Sequence, residues 1–275
     1  MKIVILGSGG GTEIPRPFCQ CRICQEGMKK GPPYSRNALA VYIEDLKALL
    51  ETPEDISDSL TRWGIRDVDN IFLSHWHPDH TFGLRPVVQA YFDWNQFRIQ
   101  NYIDLYISKL AYQKLVDIFG AIQHFQEVQG LNVHQVASNI PFKIKNWQIT
   151  FMPTEREDIG GFIFENAEKK VLFAPCDVKI LQEEKLTNLD LMIHECGWFP
   201  NDSQGNVLVK KPEIWSQEIQ FEESLERVTR LRPKQTIFIG LEEVYQRSYN
   251  DYKQLEEQYS NLGIKFAYDG MEINV

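Results

Sequence analysis

The feature that most constrains this chain is Ser74-His75-Trp76-His77-Pro78-Asp79-His80-Thr81, set directly behind the apolar run Ile71-Phe72-Leu73. His75 and His77 alternate, which on an extended strand end puts both side chains on one face, and Asp79 and His80 follow as an adjacent pair. That pair can turn back toward the same ion only if the backbone leaves the strand at once. Pro78 followed by Asp79 suits a turn feeding the first turn of a helix. Three of the six histidines of the chain lie here. Imidazole nitrogen with carboxylate oxygen is the donor set of zinc, manganese or iron used hydrolytically, and the spacing predicts two ions side by side with a water or hydroxide between them. A histidine-rich surface loop is the alternative, and the strand before and helix after the motif argue against it.

A second cluster, Cys19-Gln20-Cys21-Arg22-Ile23-Cys24, places three thiolates close enough to share one soft ion. A fourth ligand from elsewhere would close a tetrahedral zinc site, which is structural because it leaves no position for substrate. Three ordinary thiols are the bland reading of the same residues. The neighbours Gly31-Pro32-Pro33 and Ser35-Arg36-Asn37 mark a loop, at about 15–37, that zinc could pin down. Gly7-Ser8-Gly9-Gly10-Gly11 ends the first strand without a following Lys-Ser or Lys-Thr, so it reads as a loop packed near an active site rather than a nucleotide-binding P-loop.

Composition narrows the setting. The chain has 275 residues, 43% of them hydrophobic and 24% charged, enough for a buried core in one large domain. With 29 basic and 38 acidic residues the net charge is -9, which counts against a nucleic-acid substrate without excluding it. No apolar run approaches the roughly 18 residues of a membrane helix, and the first block lacks a small-residue cleavage site. Five cysteines, three within six positions, argue for metal binding or a reduced compartment rather than a disulfide framework, and the first block reads as the opening strand of a cytoplasmic protein. Association of two chains into a homodimer is left open.

Hydrophobic periodicity predicts strands over residues 1–6, Ala38–Glu44, Ala48–Glu51, Val68–Ser74, Asp104–Ile107, Val133–Gln135, Phe142–Ile144 and Trp147–Pro153. Phe162–Glu165 and Lys170–Pro175 read as a hairpin, followed by strands at Leu189–His194 and Gln235–Gly240 and a closing strand at Lys265–Val275. Helices are expected from Thr52, as cap, to Trp63, then at Thr81–Tyr91, Lys109–Phe119, Leu181–Leu186, Phe221–Leu231 and Asn250–Leu262, with a long polar loop over Gly197–Pro212. Strands at both ends, helices between and no internal repeat describe one α/β domain over residues 1–275.

With these elements in place the chain resembles, over nearly its full length, the PhnP-like branch of the metallo-β-lactamase superfamily. That branch contains phosphoribosyl cyclic phosphodiesterases, with tRNase Z and PqqB more distant. The resemblance rests on Leu6-Gly7-Ser8-Gly9-Gly10, the three cysteines, Leu50-Glu51-Thr52-Pro53-Glu54-Asp55, the H-x-H-x-D-H motif, and Tyr268-Asp269-Gly270-Met271-Glu272-Ile273. It implies a four-layer αββα sandwich with the metals at one edge of the two sheets. It also implies that Asp177, behind Val171–Pro175, is the bridging aspartate. Where the family has a histidine after Pro-x-x, this chain has Pro153-Thr154-Glu155, making Glu155 the nearest available ligand. The family's last histidine is replaced by Ile239-Gly240-Leu241, and Glu242 and Glu243 follow, with Glu243 the candidate fourth ligand of the cysteine site. His194-Glu195 resembles the His-Glu pair of tRNase Z, and Glu218 stands where relatives often carry another histidine. Carboxylates in place of imidazoles favour harder ions such as manganese.

These readings converge on a metal-dependent hydrolase of a small cyclic phosphodiester. His75, His77, Asp79, His80 and Asp177 would hold one or two ions whose bound hydroxide attacks phosphorus, with Asp79 orienting it or taking its proton. The rivals are an accessory metal-binding protein with a degenerate site, motivated by the missing histidines, and a tRNA 3′-processing nuclease, motivated by His194-Glu195.

Overall fold

In the first strand, Lys2–Gly7, Ile3 and Ile5 point to one side and Val4 and Leu6 to the other, and all four are buried. Such a strand must be covered on both faces, and the period-two alternation repeats along the later strands. The computed structural model describes residues 1–208 and 218–275. Its strands are β1 (Lys2–Gly7), β2 (Ala40–Ile43), β3 (Ala48–Leu50), β4 (Asn70–Phe72), β5 (Phe92–Asp93), β6 (Arg98–Ile99), β7 (Ile103–Ser108), β8 (Leu131–Val136), β9 (Phe142–Ile144), β10 (Trp147–Pro153), β11 (Gly160–Glu165), β12 (Lys170–Ala174), β13 (Leu191–Glu195), β14 (Gln235–Ile239), β15 (Ile264–Phe266) and β16 (Glu272–Asn274). The α-helices are α1 (Arg22–Lys30), α2 (Ile56–Arg62), α3 (Pro78–Thr81), α4 (Leu84–Gln89), α5 (Lys109–Ile118), α6 (Ala121–Glu127), α7 (Phe221–Leu231) and α8 (Tyr249–Gln258).

Among the described residues two seven-stranded sheets form, in the orders β16-β1-β2-β3-β4-β7-β8 and β15-β14-β13-β12-β11-β10-β9. Ile3, Ile5 and Phe72 from the first meet Phe162, Phe173 and Ile237 from the second in one apolar layer between them. The opposite side chains, Val4, Leu6, Ile71 and Leu105, pack under α2, α4, α5 and α6. On the far side Leu172, Met192 and Phe238 pack against α7 and α8. The fold is therefore the expected four-layer αββα sandwich.

Both sheets are mixed, and their parallel strands decide where a site can lie. β3, β4, β7 and β8 run parallel in one sheet, as do β12, β13, β14 and β15 in the other. Parallel strands deliver their carboxyl ends, with the loops that follow, to one edge.

Several elements depart from the sequence expectation. The helix expected from Thr52 begins at Ile56; Thr52 instead donates its backbone N–H and its hydroxyl to the His80 carbonyl, at 2.8 and 3.1 Å. The helix expected over Thr81–Tyr91 is split into α3 and α4 around Gly83, where a Cβ would lie 2.0 Å from the Pro53 carbonyl oxygen. Leu181–Leu186 holds only a 3₁₀ turn at Glu183–Lys185. The single closing strand over Lys265–Val275 is two strands in different sheets: β15 pairs with β14 and β16 with β1. The crossing turns at Gly270, which has φ +85° and packs against the Trp63 ring, so a larger residue would be strained and crowded there. Of the polar loop expected over Gly197–Pro212, residues 209–212 lie outside the described residues.

Candidate metal centres

The motif leaves β4 through Leu73 and Ser74 and turns into α3 at Pro78, as a strand-end ligand set requires. Other residues hold this turn. Glu51, at the end of β3, accepts from the Ser74 N–H at 3.0 Å, and the Thr81 hydroxyl donates to the His77 carbonyl at 2.9 Å. Buried Asp158 accepts from the Trp76 indole N–H at 2.9 Å and from Lys114 at 2.6 Å.

The donor atoms of His75, His77 and Asp177 lie within 4.8 Å of one another, as do those of His75, His80 and Cys176. Residues a hundred positions apart thus share one centre, because the loop after β12 arrives at the edge where β4 ends. Asp79 belongs to neither donor group but stands beside them, its Oδ2 3.2 Å from His80 Nε2.

These residues fit divalent ions. His75 is fully buried; its Nδ1 meets Ser74 Oγ at 2.9 Å, and its Nε2 has no hydrogen-bond partner. A buried unpaired nitrogen costs about 1–3 kcal/mol unless something binds it. Burial, then the neighbouring His80 and His77, push the His75 pKa well down, so it stays in the neutral form that ligates. His80 Nδ1 lies 3.2 Å from Glu51 Oε2, but off the hydrogen-bonding direction, and both atoms are buried without a hydrogen bond. Burial alone would lower His80, yet Asp79, Cys176 and Glu51 together raise it well above its ordinary value. A proton there answers the same acceptors that a metal cation would.

The centre opens into a cleft of about 560 Å³. Among the described residues Asp79, Glu155, Asp177, Glu195, Glu218 and Glu242 line it, with Arg156 and Lys179 as the fixed cations. Burial raises Glu195 to about 8, with Glu218 adding to the shift, and burial likewise raises Glu218 and Glu242. Arg156 stands 3.8 Å from Asp177 Oδ2, and the Gly11 N–H donates to Glu242 at 2.8 Å, so the first glycine loop does reach the cleft wall.

Not every candidate arrives. Glu155, expected as a ligand, is exposed on the turn between β10 and β11 and belongs to neither donor group. The strand ends at Pro153, and the turn leaves Glu155 exposed on the cleft rim, outside both donor groups. His194 is directed away from the cleft into the layer under α7, where its Nε2 meets Arg227 at 2.8 Å; only its neighbour Glu195 lines the cleft. Neither Glu51 nor Cys176 is marked by the sequence as ligand or support. The signals for them are that Glu51 sits inside a segment that carries the family resemblance and that Cys176 stands beside Asp177, outside the cysteine cluster.

The second centre brings Cys19, Cys21, Cys24 and Glu243 within 4.8 Å of one another. Cys21 caps α1, accepting from the Cys24 N–H at 3.4 Å. Glu243 Oε1 accepts from the Cys21 and Cys19 thiols at 2.8 and 3.3 Å. Burial pushes the Cys24 thiol up to about 12, so a bound cation is what would draw off its proton. Three sulfurs and one carboxylate suit a closed structural zinc site.

The comparisons agree with this architecture. A family model for the β-lactamase superfamily domain matches residues 52–240. Zn²⁺-bound PqqB from Methylobacterium extorquens superposes with a TM-score of 0.79 at 16% identity, covering 100% of both chains. A diphosphatase of the PhnP family gives 0.77 at 20% identity, over 100% of this chain and 97% of that one. Human tRNase Z, short form, gives 0.65 at 16% identity, over 100% and 99%. An octanoyltransferase from Porphyromonas gingivalis is 29% identical over 84 residues, which are 30% of this chain and only 17% of that protein. The motif, the two-sheet scaffold and the family match together establish that the chain belongs to the metallo-β-lactamase superfamily.

Proposed function

We propose that this protein is a metal-dependent phosphodiesterase of the cytoplasm that hydrolyses a small, cyclic phosphodiester. The observation that carries this reading is the pair of donor groups, His75 with His77 and Asp177 and His75 with His80 and Cys176, bordering an acidic cleft. Asp79 and Asp177, with the further acidic groups of the lining, disfavour a phosphodiester, and among the described residues Arg156 and Lys179 are the fixed cations that face them, so its binding here calls for added positive charge. Divalent ions at the centre supply that charge and Lewis acidity toward water and phosphoryl oxygen. Asp79 accepts the proton of the attacking water, and Arg156, exposed at the mouth, meets the anionic substrate. A cleft of about 560 Å³ suits a small ligand. The PhnP-family neighbour, described as a diphosphatase, supports chemistry at phosphorus.

The test is turnover of bis-p-nitrophenyl phosphate, a ribose cyclic phosphate and precursor tRNA by the purified protein with zinc or manganese. The small diesters should be cleaved faster than the tRNA. Robust activity on tRNA alone would replace this reading with tRNA 3′ processing. No turnover with any divalent ion would favour an accessory metal-binding protein, the reading motivated by Gly240-Leu241 and exposed Glu155 where the family has histidines.

A further inference from the structure

We infer that Cys176 is a ligand of the ion at the His motif, giving that centre a sulfur donor and a preference for zinc over manganese; this rests on the proposed metal centre. His75, His80 and Cys176 form a donor group as tight as His75, His77 and Asp177, and the two groups share His75. Consecutive residues on a strand point to opposite faces, so Cys176 and Asp177 could not both reach one centre from an extended chain. β12, however, ends at Ala174, and Asp177 adopts a left-handed backbone with φ 52°. That turn brings both side chains to the motif, the thiol on the His80 side and the carboxylate on the His77 side.

The shared residue sharpens the argument. His75 Nδ1 is taken up by Ser74, which leaves Nε2 as its one available donor, fully buried and without a hydrogen bond. His75 shares a donor group with Cys176 and another with Asp177. Two imidazole positions that the superfamily resemblance led one to expect are absent, and Glu155 does not replace them. The thiol supplies a donor close to Gly240, the residue after β14, where the family resemblance implies a histidine. Binding exchanges the S–H proton for an S–metal bond, so one proton passes to solvent from Cys176. Thiolate with imidazole selects zinc or ferrous iron, whereas oxygen-rich sets admit manganese. This reverses the preference for harder ions expected from the carboxylates alone.

The test uses site-resolved alkylation of the whole protein, read by peptide mass spectrometry, with the centre loaded with zinc or with manganese, alongside affinities for each ion. Cys176 borders the cleft, and fully buried Cys196 reports any unfolding. Zinc should slow alkylation of Cys176 by about tenfold or more and manganese should not, while Cys196 stays unreactive. Cys176→Ser should weaken zinc binding by more than the roughly 10–100-fold that losing a supporting partner costs, and shift manganese affinity by no more than about twofold. Equal alkylation with and without zinc, in protein that loses one bound zinc on His77→Ala, would overturn the thiol ligand and leave the metal centre standing. Identical ion content in wild type and His77→Ala would overturn both.

Discussion

The pair His194 and Arg227 makes a quantitative prediction about acid stability. His194 is fully buried on β13; its Nδ1–H donates to the Glu195 carbonyl at 2.6 Å, and its Nε2 accepts from Arg227 at 2.8 Å. The same guanidinium donates to the carbonyls of Val178 and Lys179 at 2.8 Å and pairs with Glu183 at 2.7 Å, so it clamps the loop that follows Asp177. Protonating His194 would aim an N–H at a guanidinium in a dry layer. Burial first and Arg227 second lower its pKa to about 3 from an ordinary 6.5, with Glu183 a weaker opposing influence. The unfolded chain therefore binds the proton first, and stability is lost as pH falls below about 6.5 until both states are protonated below about 3. Between pH 8 and pH 5 the loss attributable to this residue is about 2 kcal/mol, reaching about 3 kcal/mol at pH 4. His194→Gln keeps an acceptor for Arg227 and does not titrate. The assay is urea unfolding of both proteins at pH 8 and pH 5, in which titrations common to both cancel. Wild type should lose about 2 kcal/mol relative to the variant over that interval. A relative change below about 0.5 kcal/mol would refute the assigned tautomer and its coupling to Arg227.

Three further outcomes are expected. Asp177→Ala should abolish metal-dependent hydrolysis as completely as His77→Ala, measured as turnover of a small phosphodiester, because the two side chains share one donor group. Cys21→Ser should release about one zinc per chain and lower the melting temperature by about 5 °C, the effect of about 2 kcal/mol in a chain near this size; unchanged zinc content would disprove a structural site. Glu51→Gln, which keeps an acceptor for Ser74 but loses the charge beside His80, should weaken metal binding at the centre by roughly 10–100-fold in competition with a chromophoric chelator.

Local pattern alone carried much of this protein. An apolar strand followed by H-x-H-x-D-H defines a strand, a turn and a ligand set within ten residues, and C-x-C-x-x-C does the same for three sulfurs, because these geometries follow from short-range backbone rules. The apolar run of β1 likewise marks a buried strand, while the four-layer sandwich is implied by the family resemblance. What sequence could not decide was which distant strand ends meet at one edge and which way the side chains there point. Glu155 and Cys176 both follow predicted strands, yet the turn after Pro153 leaves one exposed while the turn after β12 places the other beside the histidines. His194 and Glu195 are neighbours on β13, but strand alternation puts one against Arg227 and the other in the cleft. The tail read as one strand divides at Gly270, since the sheet to which each half belongs is set by β1 and β14, more than 30 residues upstream of it at the nearest. Ligand sets of this kind depend on backbone angles in loops and on pairings across the whole chain, so only the tertiary structure could select among them.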